Sequence, residues 1–155
     1  MKKLIIIFSI SVLFISCKKE VNINSKDFAI QDIHSINKII MSDKTGNSVV
    51  LEKQGETWIL NNKYKAWIYQ IDYTLKVMKD IKIKSSVSEE VEEMVIKNLA
   101  TSSVKIEIYM NNIPTKTYYI GGNTRDHLGT YMIMKESSTP FIMHIPDRQP
   151  GILNP

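Results

Sequence analysis

Val104-Lys105-Ile106-Glu107-Ile108-Tyr109, followed by Asn111-Asn112-Ile113-Pro114 and a return over Thr115 to Ile120, decides the fold class of this chain. Val104, Ile106 and Ile108 alternate with Lys105, Glu107 and Tyr109, the period of a strand with one buried face. A short Asn/Pro turn and a β-rich return then predict an antiparallel hairpin. Toward the C-terminus, Thr130 to Met134 and Phe141 to Ile145 form another strand pair, joined through Glu136-Ser137-Ser138. Toward the N-terminus, Ile36 to Met41, Val49 to Glu52 and Thr57 to Leu60 read as three more strands. They are separated by Asp43-Lys44-Thr45-Gly46-Asn47 and Gln54-Gly55-Glu56 and ended by Asn61-Asn62-Lys63. Gly46 is available for a positive φ.

The middle of the chain changes period. Trp67, Ile71, Leu75 and Met78 fall at spacings of four, four and three, which predicts a helix over Ala66 to Lys79 with Trp67 in the core. Ile81, Ile83 and Val87 suggest a short extended segment. A second helix is expected over Ser88 to Leu99, buried through Val91, Met94, Val95 and Leu99. Ser86 with Glu89 offers a capping box, and Ser88 is an alternative cap. Glu89, Glu90, Glu92 and Glu93 read as a solvated helix face rather than a cation site. The expected fold is α+β: antiparallel β-meanders with two amphipathic helices.

Ahead of this domain stands a targeting segment. Lys2 and Lys3 precede Leu4 to Ile15, an apolar run broken only by Ser9 and Ser11. It is too short for a spanning helix, which takes about 20 residues, and it fits the apolar region of a secretory signal. Cys17, the only cysteine, follows directly, so no intrachain disulfide can form. Leu13-Phe14-Ile15-Ser16-Cys17 resembles a lipobox, the site at which lipoprotein signals are cut and the cysteine is acylated. The expected division is 1–16 signal peptide, 17–27 lipidated tether and 28–155 folded domain. Two or more acyl chains anchor stably where one does not, and a mature bacterial lipoprotein carries three. Lys18, in place of Asp, leans toward the outer membrane by resemblance to diderm sorting. Lys18-Lys19-Glu20 lacks the acidic stretch of surface-exported lipoproteins, which favours the periplasmic side.

The full chain of 155 residues is 43% hydrophobic and 23% charged, which excludes a disordered or membrane-filling protein. Its net charge is +4. The signal holds two lysines and no acid, so its removal lowers the net charge to +2. That balance, without clustering, excludes a nucleic-acid partner.

Several motifs taken together resemble a known family. They are Phe28-Ala29-Ile30 with Ile36-Asn37-Lys38-Ile39, Trp58 before Asn61-Asn62-Lys63-Tyr64, and Tyr118-Tyr119-Ile120-Gly121-Gly122. Leu128-Gly129-Thr130-Tyr131-Met132 and His144-Ile145-Pro146 complete the set. The chain from about Phe28 to Pro155 resembles the domain of unknown function 4340, found in Bacteroidota lipoproteins. The resemblance implies a mixed α+β fold and supplies no catalytic residues. It also implies a loose association with ABC-transporter components of the gliding-motility type. Relatives of this kind continue past Gly151-Ile152-Leu153-Asn154-Pro155, so a short natural form or a truncated one is expected here.

Gly121-Gly122-Asn123-Thr124-Arg125-Asp126-His127-Leu128-Gly129-Thr130 is the richest polar stretch. Gly121 and Gly122 allow close backbone approach, and Arg125 can add a charge-assisted bond to an anion. Thr130 closes the set. The plainer reading is a hairpin connection in which Asn123 and Asp126 satisfy backbone groups. Asp126 and His127 can be read as orienter and base of an envelope hydrolase, but no GxSxG nucleophile accompanies them. His34, His127 and His144 are too scattered for a metal motif, and no cofactor is expected. Tyr109, Tyr118, Tyr119 and Tyr131 suit either a binding platform or a half-buried sheet. The expectation is therefore a lipid-anchored envelope protein that binds or scaffolds an envelope partner and is not an enzyme. The partner would dock on the Gly121–Thr130 loop and the neighbouring tyrosines. A hydrolase and a small-ligand-binding lipoprotein are the alternatives.

Overall fold

The computed structural model describes residues 26–146. Cys17, the expected signal and most of the expected tether lie outside the described residues, as does the segment 147–155.

The first meander contains β1 (Ile36–Ser42), β2 (Ser48–Gln54), β3 (Thr57–Leu60) and β4 (Tyr64–Lys65). Helix α1 (Ile68–Asp80), strand β5 (Lys82–Ser86) and helix α2 (Glu89–Ser102) follow. The second meander is β6 (Val104–Met110), β7 (Ile113–Asn123), β8 (Thr130–Met134) and β9 (Phe141–His144). All nine strands pair antiparallel in one sheet, ordered β4-β3-β2-β1-β6-β7-β8-β9-β5. Helix α1 thus carries the chain from one edge of the sheet to the other, and α2 returns it to the middle. The second meander fills the gap between β1 and β5. The outcome is α+β in content, with strand dominating.

Local chemistry sets the turns. Asn111 and Asn112 both take positive φ, +52° and +64°, as a tight hairpin turn demands. The Asn37 side chain holds that turn by accepting from the Asn112 N–H at 3.1 Å and donating to its side-chain oxygen. Gly46 sits at φ +96° in the β1–β2 turn. Asn61, at φ +49°, offers its side-chain oxygen to the Val50 N–H at 2.8 Å.

Strand parity divides the core in two. Leu51, Ile39 and Ile108 are successive cross-strand partners, as are Ile106, Tyr118 and Met134. These residues pack with Ile71 and Met78 of α1 and with Phe28 and Ile30 of the entering chain, sixteen buried residues in one cluster. Phe28 is wedged between Tyr118 and Phe141, its ring 6.1 Å from each. Burying a side chain of this size stabilises the fold by about 1.5–3 kcal/mol. The alternate residues Tyr131, Ile133 and Ile142 face the other way and meet Val95 and Leu99 of α2. The helices therefore lie on opposite faces. Among the described residues, the cluster on the α2 side buries three, Val87, Val95 and Leu99.

Several local expectations are corrected. Trp67 is not core: it is the residue before α1 and is 71% exposed. Helix α1 begins one residue later than its face does, so Trp67 swings out while Ile71 and Met78 bury. Met94 is exposed, because α2 rests on the sheet through the narrower Val95–Leu99 ridge. The capping box is not formed. Ser86 belongs to β5, paired with Phe141, and the residue ahead of α2 is Ser88, without a side-chain cap. The second strand of the central hairpin runs on through Gly121 and Gly122 to Asn123.

Candidate functional site

The Gly121–Thr130 stretch is split by the structure into three parts. Gly121 lies in β7, and a Cβ there would stand 2.8 Å from Leu99 Cδ2 and 3.3 Å from the Tyr131 carbonyl oxygen. Its missing side chain admits α2, not an anion. Gly122 is exposed and open around its Cα. Thr130 is 2% exposed, and its hydroxyl donates to the Asn123 side-chain oxygen at 3.0 Å.

The remaining residues close a turn on themselves. The Thr124 N–H donates to the Gly129 carbonyl at 2.9 Å, and the His127 N–H donates to the Thr124 carbonyl at 2.9 Å. The Gly129 N–H donates to the Thr124 hydroxyl at 3.1 Å, and that hydroxyl donates to Asp126. Asp126 also accepts from the Leu128 N–H at 3.0 Å and lies 3.8 Å from Lys84 Nζ. The Thr124 hydroxyl first, then the Leu128 amide, hold the Asp126 carboxyl below its ordinary range, and Lys84 adds to this. The amides of Thr124, His127, Leu128 and Gly129, which could have cradled an anion, are engaged within the turn. Asp126 is aimed at Thr124 and Leu128 rather than at His127, which stands exposed at φ +57°. The geometry thus does not assemble Asp126 and His127 as a dyad. Arg125 is exposed beside them. Among the described residues no three His, Cys, Asp or Glu side chains converge as metal ligands.

The tyrosines also separate. Tyr118 is buried against Phe28, and that burial pushes its phenol far up. Its neighbour Tyr119 points to the α2 side, as do Tyr109 and Tyr131. Tyr131 is covered by α2. Tyr109, on β6, lies on the part of that face that α2 leaves open, since α2 rests on β7 and β8, and Tyr119, on β7, stands at the margin of α2.

This open half-face is organised by charge and ring contacts. Lys38 lies 3.3 Å from Glu52 and 5.9 Å from the centre of the Tyr109 ring. Lys105 pairs with Glu107 at 2.8 Å, which raises its ammonium above the usual range. Ser42, Lys105, Tyr119 and Ile133 are cross-strand partners in one rung. At the end of that rung Lys44, from the β1–β2 turn, reaches over Tyr119 at 5.1 Å. An open groove of about 180 Å³ runs between this corner and α2. It is floored by Leu99 and Ile133 and rimmed by Lys44, Tyr119, Ile96 and Lys135. Sequence reasoning identified Tyr109 and Tyr119 and missed the lysines and the groove beside α2.

The chain matches no family model, no curated protein and no solved structure.

Proposed function

We propose that this chain is a lipid-anchored protein of the bacterial cell envelope whose folded domain binds or scaffolds another envelope protein, without chemistry of its own. The anchor is Cys17, on the outer membrane and facing the periplasm, and the lipobox-like Leu13–Cys17 segment supports it. Membership of the domain of unknown function 4340 family belongs to the same proposal and rests on the quoted motifs. So does its association with transporter or gliding-type machinery.

One observation carries the binding role: the open half-face holding Tyr109 and Tyr119, with the groove beside α2. Small-molecule sites take roughly 300–1,000 Å³. A groove of about 180 Å³ is better filled by one apolar side chain of a partner. Tyr and Lys around an apolar floor suit an acidic, aromatic-tolerant protein surface.

A photoreactive residue placed at Tyr119, and another at Arg125, tests this in cells. A discrete crosslinked product from Tyr119 supports the half-face, and one from Arg125 alone moves the partner to the turn. No specific product from either position sinks the binding role. A Cys17→Ser chain should lose membrane fractionation and keep its signal uncut. Proper cleavage with retained membrane attachment would remove the lipoprotein reading.

A further inference from the structure

The described residues expose nine large apolar or aromatic side chains, and four of them fall within residues 64–69. Trp67 and Tyr69 are each 71% exposed, Tyr64 is 56% and Ile68 is 49%. The Trp67 and Tyr69 rings meet edge to face, 5.7 Å apart, so each limits the other's freedom. Lys63 lies over the Tyr64 ring at 5.0 Å, and Lys65, next in the β4 edge strand, turns to the other face of the sheet. Isolated exposed apolar residues need no explanation. A cluster of two tyrosines, a tryptophan and an isoleucine, with a lysine across one of its rings, does.

We infer that this patch is a second membrane contact, which seats the β4–α1 corner in the headgroup region of the bilayer that holds the lipid anchor. The inference rests on the lipoprotein reading. The chemistry fits an anionic lipid surface. Trp and Tyr place amphipathic rings at the headgroup level, an apolar residue beside them reaches the acyl boundary, and lysines attract anionic headgroups.

Size favours the bilayer over a protein. A whole aromatic side chain offers about 150–250 Å², so three rings and Ile68 at these exposures fall short of the roughly 800 Å² per partner of a stable interface. The shortfall does not matter on a membrane, where the acyl chains supply most of the affinity and the patch has only to orient the domain.

Reach allows it as well. The chain enters the fold at the far end of α1, where the Ile30 N–H donates to the Met78 carbonyl at 2.9 Å. A helix of 13 residues is about 20 Å long. The ten residues between Cys17 and Phe28 extend to at most about 33–36 Å.

The test uses the acylated full-length protein in vesicles of phosphatidylethanolamine and phosphatidylglycerol with brominated acyl chains. Trp58 is 5% exposed in the core, so bromine should quench Trp67 selectively. The expected result is a loss of emission that disappears in Trp67→Phe while co-sedimentation with vesicles is unchanged. Lys63→Glu should reduce the loss. Protein that co-sediments with Trp67 unquenched overturns the inference and leaves the anchor standing. Protein that does not co-sediment overturns both. Trp67 unquenched by bromine in these vesicles, yet shielded from aqueous acrylamide, places a second copy of the chain on the patch and overturns the inference.

Discussion

Gly121 and Leu99 are mutually fitted: a single added carbon on Gly121 would approach Leu99 Cδ2 to 2.8 Å. Leu99 is 4% exposed and has little room to yield. This contact seats α2 on β7 and so sets the depth of the groove beside Tyr119.

Gly121→Ala should therefore destabilise the fold by about 1–3 kcal/mol, the usual cost of overfilling a packed site. Gly122→Ala, with open space around it, should be close to neutral. Combined with Leu99→Ala, the Gly121→Ala cost should shrink, because the two residues share one space. Urea unfolding of the four variants checks this. Strict additivity would mean that the contact does not govern the packing.

The β1–β2 turn should give stability a distinct acid limb. The Asn47 side chain and the Thr45 hydroxyl, with both backbone amides, donate to Asp43 and hold its carboxyl down to about 2. An unfolded Asp titrates near ~3.9. As pH falls below about 4 the unfolded chain takes up the proton first, so the contribution of Asp43 is present above that pH and is gone by about 2. Asp32 and Asp126 are shifted in the same direction, so the measurement is the difference between wild type and Asp43→Asn. Urea midpoints from pH 7 to pH 2 should converge for the two proteins. A constant gap would show that the turn's hydrogen bonds do not depend on the charge.

Lys116 fastens the entering chain to the sheet. Its side chain is 11% exposed, its Nζ donates to the Ala29 carbonyl at 2.6 Å, and Asp27 lies 3.3 Å away. Lys116→Met should cost about 1–3 kcal/mol by leaving that carbonyl without its partner. Asp27 is 60% exposed, and Asp27→Asn should cost less than about 1 kcal/mol. Hydrogen exchange at the Ile30 amide is the direct readout, and it should quicken in Lys116→Met. Unchanged protection would mean that Phe28 alone holds the segment.

The strands were legible where alternation and turns agreed, as in β6 and the Asn111-Asn112 turn. Strand β4 was not, because two residues carry no period. The spacing of Trp67 and Ile71 was helical, but spacing does not say which turn is the first, and Trp67 fell outside it. Gly121-Gly122 resembled a loop because glycine lowers strand propensity. The strand persists there because Leu99, 22 positions earlier, occupies the missing side-chain space. Tyr118 and Tyr119 show the same limit: adjacent in sequence, they point to opposite faces, one into the core and one into the groove. The groove itself draws on the β1–β2 turn, α2, β7 and β8. No window of sequence contains it.

The two margins of the sheet carry a further consequence. Strand β4 is only two residues long. At the other margin, β5 exposes Lys82 and Lys84 and shifts register between Ile83 and Ser85. Short, charged and irregular borders resist strand addition. A sheet of nine strands with open borders would risk polymerising sideways into fibres. With both borders blunted, copies of the described domain do not extend one another's sheet, and any lasting assembly has to form through the faces.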